Sequence, residues 1–218
     1  MNKHKKSLSG IYAITDPELM HSNFVSLAEQ AIKGGINILQ YRNKSATPEQ
    51  QEQEAAMLVS LCHNNNVIFI INDNVELAIK VNADGVHLGQ KDTDIKQARK
   101  QLGKNKIIGI SCNNQLKLAQ AAQQQGADYI AFGRFFNSQT KPSAPQAELT
   151  LLSDAKDVID IPIVAIGGIT LETAPQLLNK DIAMLAIIQG IFGQDDVLQA
   201  AQKFNEIFNA TNTPKASV

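Results

Sequence analysis

Eight short β-branched, apolar runs alternate with eight longer amphipathic runs along the chain, which is the pattern of repeated βα units. The short runs are nearly continuous in apolar residues, as in Val67-Ile-Phe-Ile-Ile71 and Ile163-Val-Ala-Ile166, which suits parallel strands covered on both faces. The chain has 218 residues, near the lower end for one closed eight-stranded barrel and long for a single open sheet. Together these features predict an α/β fold, a (β/α)8 TIM barrel in a single domain, burying roughly 70% of the surface that the unfolded chain exposes.

The elements follow in order. A strand at 10–15 precedes an amphipathic helix near 24–33, and Gly34-Gly35 ends that helix by supplying the left-handed position after its last turn. A strand at 36–41 leads to Thr47-Pro48-Glu49, an N-cap with proline at the first helical position, and to a helix near 49–64. Strand 67–71 and helix 75–81 hand over through Asn82-Ala-Asp-Gly85 to strand 85–88 and helix 93–102. Strand 106–110 and helix 115–125 hand over through Gly126-Ala-Asp128 to strand 129–132. A long polar loop, 133–146, then precedes helix 147–157. A loop of that length leaving the carboxyl end of a barrel strand is more often a functional lid than a plain connection. Strand 162–166, helix 171–179, strand 184–188 and helix 194–208 complete the set. No linker or composition break interrupts them. The barrel domain is therefore expected to span 10–209, between a flexible Lys- and Ser-rich tail at 1–9 and a disordered, small and polar tail at 210–218.

Composition excludes several classes. Hydrophobic residues make up 44% and charged residues 19%, as in ordinary globular chains. With 20 basic and 21 acidic residues there is no basic excess of the kind nucleic-acid binders carry, so any anion site must be a local cluster. No apolar run approaches the roughly 18 residues of a membrane span, and no secretory stretch follows the N-terminal lysines. Cys62 and Cys112 form no CxxC and have no His at ligand spacing, which argues against zinc and against a disulfide framework. The expected location is the cytoplasm. The expected partners are small molecules rather than nucleic acid or membrane, and no oligomeric state is implied.

Barrel active sites lie at the carboxyl ends of the strands, so the informative residues stand just after each apolar run. Alternation puts Gln40, Arg42 and Lys44 on one side of the second strand's exit, opposite Tyr41. An amide and two cations there suit a polar ring beside an anionic group, since Arg offers a forked pair of donors and Lys a compact charge; a solvated pair is the alternative. Asn72-Asp73 ends the third strand, and Asp92 follows the fourth. Two carboxylates without Cys or clustered His suit a hard cation such as Mg2+, while helix capping explains either Asp equally well. Asp94 reads as first-turn helix chemistry. Ser111 ends the fifth strand and is placed for a hydroxyl contact, or as a cap. Cys112 has no paired base and reads as structural, and His87 lies inside an apolar strand without a readable catalytic partner. The seventh strand runs into Gly167-Gly168 and the eighth into Gln189-Gly190, the two loops that form the common phosphate site of this fold. These residues support two phosphorylated ligands, one held by the glycine loops and one beside a cation-and-metal locus across the mouth.

Six stretches stand in the order found in the thiamine-phosphate synthase family, which the chain resembles over about residues 10–193. They are Tyr12-Ala-Ile-Thr-Asp16, Leu39-Gln-Tyr-Arg-Asn-Lys44, Ile70-Ile-Asn-Asp73, Gly85-Val-His-Leu-Gly-Gln90 with Asp92, the 133–142 loop ending Ser138-Gln-Thr-Lys-Pro142, and Ala165-Ile-Gly-Gly-Ile-Thr170. The resemblance implies condensation of 4-amino-2-methyl-5-pyrimidinylmethyl pyrophosphate with a thiazole phosphate, releasing pyrophosphate, with Mg2+ as cofactor. It implies that Gln40, Tyr41, Arg42, Asn43, Lys44, Asn72, Ser111 and Lys141 hold the pyrimidine pyrophosphate, with Gln40 on the ring. Arg42, Lys44 and Lys141 act on the pyrophosphate, and Asp73 and Asp92 bind Mg2+. Ser138, Gln139, Thr140, Gly168, Ile188 and Gln189 are placed at the thiazole phosphate. The chain departs from the family at Ser138, where Thr is common, and at Gln189, often Ser. Two rival functions accompany this reading. One is a thiazole tautomerase of the same superfamily, disfavoured by Arg134 and by an intact Thr140-Lys141-Pro142; the other is a barrel that only binds a phosphorylated ligand.

Overall fold

A computed structural model of the chain describes residues 8–137 and 145–212. Eight parallel strands close into a barrel in sequence order: β1 (Gly10–Ile14), β2 (Ile38–Tyr41), β3 (Ile68–Asn72), β4 (Gly85–Leu88), β5 (Ile107–Ser111), β6 (Tyr129–Phe132), β7 (Ile163–Ile166) and β8 (Met184–Ile187). The ring shuts where β1 meets β8, with Ile11 opposite Leu185. Helices α1 (Pro17–Met20), α2 (Phe24–Lys33), α3 (Pro48–Asn64), α4 (Val75–Lys80), α5 (Ile95–Leu102), α6 (Leu116–Gln124), α7 (Thr150–Lys156), α8 (Ala174–Leu178), α9 (Gln189–Phe192) and α10 (Val197–Asn212) fill the connections. No described helix is long and apolar enough to cross a membrane.

Pattern and cap chemistry account for most of these elements. Thr47 opens α3 with a full capping box, its side chain accepting from the Gln50 N–H while Gln50 reaches back to the Thr47 N–H. The two four-residue helices, α1 and α9, are absent from the sequence expectation because so short a segment carries no apolar period. The Asp16 carboxylate caps α1, accepting from the Glu18 N–H at 3.0 Å. At the far end, α10 continues to Asn212 past the expected barrel boundary at 209, with the Thr211 hydroxyl donating back to the Ile207 carbonyl. Leu8, expected in the tail, packs against the residues inside the barrel.

Alternation along each strand divides the apolar residues into two cores. Ile11, Leu39, Phe69, Val86 and Ile130 face outward and meet the helix layer. Tyr12, Ile38, Ile68, Ile70, Tyr129, Val164 and Met184 fill the barrel itself. The interior holds two tyrosines only because its neighbours give way. A Cβ added to Gly109 would lie 1.9 Å from Cζ of Tyr129, so the bare backbone on β5 is the slot that receives the phenol from β6. Gly109→Ala is therefore expected to displace the Tyr129 ring and destabilise the fold by about 1–3 kcal/mol, measured as a lower denaturant midpoint at unchanged slope.

Candidate active site

Strand β2 delivers Gln40, Arg42 and Lys44 to one small pocket at the barrel mouth, about 130 Å3 in volume, together with Asn72, Asp73, His87, Asp92 and Ser111. Gln40 is buried inside the barrel, Arg42 is half-buried and Lys44 is exposed. Arg42 is held through its backbone: its N–H donates to the Thr15 hydroxyl at 2.8 Å, and that hydroxyl donates back to the Arg42 carbonyl at 3.0 Å. This two-point clamp carries the β1–β2 ladder past the last regular pair.

The side chains of Tyr41 and Asn43, expected at the substrate, are engaged elsewhere. Tyr41 points outward into the helix layer, where its hydroxyl donates to Glu54 on α3 at 2.8 Å. Burial, then the Glu54 carboxylate, pushes its phenol well above the ordinary tyrosine range. The Asn43 amide also donates to Glu54, at 3.0 Å, and its oxygen accepts from the N–H groups of Ser45 and Ala46 and from the Ser45 hydroxyl. Gln51, one helical turn before Glu54, donates to the Asn43 carbonyl at 2.8 Å. The two residues thus anchor the loop that presents Arg42 and Lys44. Strand alternation, which sends residue 41 opposite to 40 and 42, is the physical reason.

Capping explains neither Asp73 nor Asp92. Helix α4 is capped by Asn74, which accepts from the Leu77 N–H, and α5 is capped by Asp94, which accepts from the N–H groups of Lys96 and Gln97. Asp73 sits in the left-handed region at φ 61°, a conformation Asp adopts more readily than most residues, and so turns its carboxylate to the mouth. There it pairs with Lys44 at 3.0 Å and neighbours Asp92. Burial alone would raise Asp73, but the hydrogen bonds from Lys44, Asp92 and Asn72 and the charge of Lys44 outweigh it and hold the carboxyl below its usual range. Asp92 is shifted the other way: burial and the neighbouring Asp73 carboxylate raise it, against the pull of the Gly89 N–H and of Lys44. Two neighbouring carboxylates, one shifted down and one shifted up, form an oxygen-only donor pair beside Lys44 and Arg42. That arrangement suits a hard divalent cation. Among the described residues no group of three or more His, Cys, Asp or Glu stands ready to hold a metal.

Ser111 is no cap either. Its hydroxyl meets His87 Nε2 at 2.8 Å, and His87 Nδ1 meets the Tyr129 hydroxyl at 2.9 Å. The Tyr129 hydroxyl lies 2.8 Å from that of Tyr12, which accepts from Gln40 Nε2 at 2.6 Å. Sequence reasoning passes over His87 because its partners come from β5 and β6, far along the chain. The available signal is register: His87, Ser111 and Tyr129 all occupy inward positions of neighbouring strands. Cys112, next to Ser111, is fully buried, and that burial pushes its thiol up to about 12, which removes it as a nucleophile at neutral pH.

The second pocket is larger, about 620 Å3, and is lined by Gly167, Gly168, Thr170, Ile188, Gln189 and Gly190 among others. Gly168 has φ 65° and lies so close to the chain before the long loop that a Cβ would fall 2.2 Å from the Asn137 carbonyl oxygen. Strand β8 turns at Ile188 directly into α9, whose first N–H groups have no partner within the helix and border the pocket together with the Gly167-Gly168 turn. The Gln189 side-chain amide lies against Gly193, where an added Cβ would fall 2.3 Å from its Nε2. Ile166 and Ala186 belong to the walls of both pockets, which are thus adjoining halves of one mouth. Ser138, Gln139, Thr140 and Lys141, expected at the thiazole substrate and the pyrophosphate, lie outside the described residues.

A glycine-loop anion pocket joined to a pocket of two carboxylates, an Arg and a Lys defines a (β/α)8 enzyme for two phosphorylated ligands. Comparison with known proteins narrows the class. The profile of the thiamine monophosphate synthase family matches residues 11–191, and the chain belongs to that family. It is 48% identical over 210 residues to the thiamine-phosphate synthase of Alcanivorax borkumensis, covering 94% of this chain and 97% of that one. It is 44% identical to the thiamine-phosphate synthase of Nitrosococcus oceani, covering 96% and 97%. The solved thiamine phosphate pyrophosphorylase from Pyrococcus furiosus superposes with a TM-score of 0.88 at 30% identity over 96% of this chain and all of that one.

Because Thr15 acts on Arg42 only through the two clamp bonds, Thr15→Val is expected to lower kcat/KM about tenfold while Thr15→Ser stays close to wild type. Steady-state pyrophosphate release on both variants checks it.

Proposed function

We propose that the chain makes thiamine phosphate by joining 4-amino-2-methyl-5-pyrimidinylmethyl pyrophosphate to a thiazole phosphate, with release of pyrophosphate. The observation that carries the reading is the pair of adjoining pockets, one rich in opposed charge and the other built from glycine turns and a helix start. Family membership makes the activity that of a thiamine-phosphate synthase; the residue roles, the cation and a cytoplasmic setting are this proposal's own.

In this reading the pyrimidine pyrophosphate takes the smaller pocket. Gln40, Asn72 and Ser111 face its ring, Arg42 and Lys44 face its pyrophosphate, and Lys141 reaches the same group from the long loop. Asp73 and Asp92 would hold Mg2+, which when bound supplies positive charge against the pyrophosphate oxygens. Lys44, paired with Asp73 in this structure, is released from that ion pair to face the leaving group. The thiazole phosphate takes the larger pocket, its phosphate at Gly168 and the backbone of Ile188 and Gln189, with Ser138 to Thr140 alongside. As the C–O bond to pyrophosphate breaks, negative charge grows on the leaving oxygens and positive charge on the pyrimidine methylene. The thiazole nitrogen then closes the C–N bond. No proton must be abstracted for that bond to form, which agrees with a site of cations, amides and hydroxyls around the reacting groups. Arg134, in the place where the tautomerase group carries His, directs its guanidinium to the Phe136 carbonyl and the Asn137 side chain, and is no base.

Mixing both substrates with Mg2+ and following pyrophosphate should show release that depends on the thiazole phosphate. Isomerisation of a thiazole without release, or binding alone, overturns the reading. Asp92→Ala and Lys141→Ala are each expected to cut turnover by about a hundredfold, near 3 kcal/mol of barrier, at unchanged thermal midpoint. Chelation of divalent ions should abolish release, and added Mg2+ should restore it.

A further inference from the structure

Strands β4 and β5 pair regularly only as far as Leu88 with Ile110. One residue further on, the Ser111 carbonyl accepts a hydrogen bond from the Gln90 side-chain Nε2 at 2.7 Å. A carbonyl oxygen can only accept, so the nitrogen of the Gln90 amide is the atom that must face it. A long side chain thus carries the β4–β5 seam past the point where the backbone ladder ends. The Thr15 hydroxyl does the same for β1 and β2 beside Arg42.

Gln90 stands in a tight turn whose far end is a proposed cation ligand. The Asp92 carboxylate accepts from the Gly89 N–H at 2.7 Å, and the Asp92 N–H donates to the Gly89 carbonyl at 3.3 Å. Side chain and backbone close the same four residues, so the carboxylate moves with the turn as a unit. Gln90, Lys91 and Asp92 are all exposed, and packing therefore does little to set the tilt of this turn over the barrel. The Gln90 amide fastens it to β5. Asp92 and Ser111 both line the smaller pocket, while Gln90 does not. It joins the two from behind.

We infer that Gln90 is a positioning residue that fixes the Asp92 carboxylate relative to Ser111, and so the divalent cation relative to the pyrimidine pyrophosphate. A carboxylate holds a hard cation well only when it is oriented, and groups that orient it contribute to affinity without touching the metal. Cation and pyrimidine substrate lie on the two sides of one amide bridge, so loosening the bridge weakens both together. The thiazole phosphate, placed against the Gly167-Gly168 and Ile188-Gln189 turns of the other cavity, is left as it was. Stability should hardly change, because water can reach the exposed side of the Ser111 carbonyl and replace the lost donor. The inference rests on the proposed function for the ligands it names, but the bridge itself belongs to the protein alone.

Two variants cut the bridge in different ways. Gln90→Met keeps the length of the side chain and removes the donor; Gln90→Asn keeps the amide and is one methylene too short to reach. The probe for the cation is Mn2+, titrated into the protein without substrates and followed by the paramagnetic resonance of the free ion. In both variants its dissociation constant is expected to rise about fivefold, the order that one net hydrogen bond supplies. KM for the pyrimidine pyrophosphate at fixed Mg2+ should rise by a similar factor, while KM for thiazole phosphate stays within about twofold and the thermal midpoint is unchanged. A folded Gln90→Met with wild-type Mn2+ affinity overturns the inference, as does an equal rise in both KM values, which would mean a general loosening of the mouth. A Gln90→Asn that matches wild type overturns it too, since polarity in the turn and not the span to β5 would then be what counts. A wild type that binds no Mn2+ also overturns it. The titration needs no turnover. A wild type that bound Mn2+ and released no pyrophosphate would sink the proposed reaction, and the affinities of the variants would still decide the bridge.

Discussion

Closure of the sheet imposes the constraint from which the rest of the site follows. Once β1 pairs with β8, no strand edge is left open, and every inward side chain must either fill the interior or find a hydrogen-bond partner inside it. The lower part of the barrel meets the constraint with aliphatic residues such as Ile38, Ile68 and Met184. Nearer the mouth, polar groups enter, and they are admitted only as a connected set. Tyr12 and Tyr129 carry hydroxyls into the buried interior and satisfy them through each other, through Gln40 and through His87. The slot at Gly109 makes the arrangement sterically possible. Packing and polarity are thus solved together.

Charge at the rim is organised differently. Lys44, Asp73 and Asp92 are partly or largely exposed and act on one another: Lys44 draws the Asp73 carboxyl below its usual range, while burial, and then Asp73, raises Asp92. Such a cluster is held in place by backbone geometry more than by its own attractions, which solvent weakens. The left-handed turn at Asp73, the Gly89 N–H on Asp92 and the Asn43–Glu54 anchor beneath Lys44 supply that geometry. A rigid scaffold carrying a loosely bound set of charges can exchange protein ion pairs for contacts with a polyanion at small cost.

The barrel was legible in the sequence because the strands are short, continuous and evenly spaced, and because helix ends carry their own punctuation. Gln40, Arg42, Asn72, Asp73, Asp92 and Ser111 were legible as a group because they follow apolar runs, and the structure brings all of them to one pocket. Tyr41 and Asn43 were not separable from them by position in the motif alone; the partner that claims both, Glu54, stands on the next helix, and no local pattern announces it. His87 was hidden for the opposite reason. A histidine flanked by Val86 and Leu88 looks like part of a buried strand, and only the inter-strand register reveals that Ser111 and Tyr129 wait on either side of its ring. Helix α9 escaped notice because four residues cannot show a period. Where meaning depends on residues distant in the chain, periodicity carries no information about it.

Ala186 contributes to the walls of both pockets and brings no polar atom to either. Among the described residues, Ala186 and Ile166 are the two that line both cavities. If each cavity takes one of the two ligands proposed, the seam across which they meet runs past an aliphatic residue on β8. A wider side chain there would act as a spacer, leaving each ligand its contacts and keeping the pair apart.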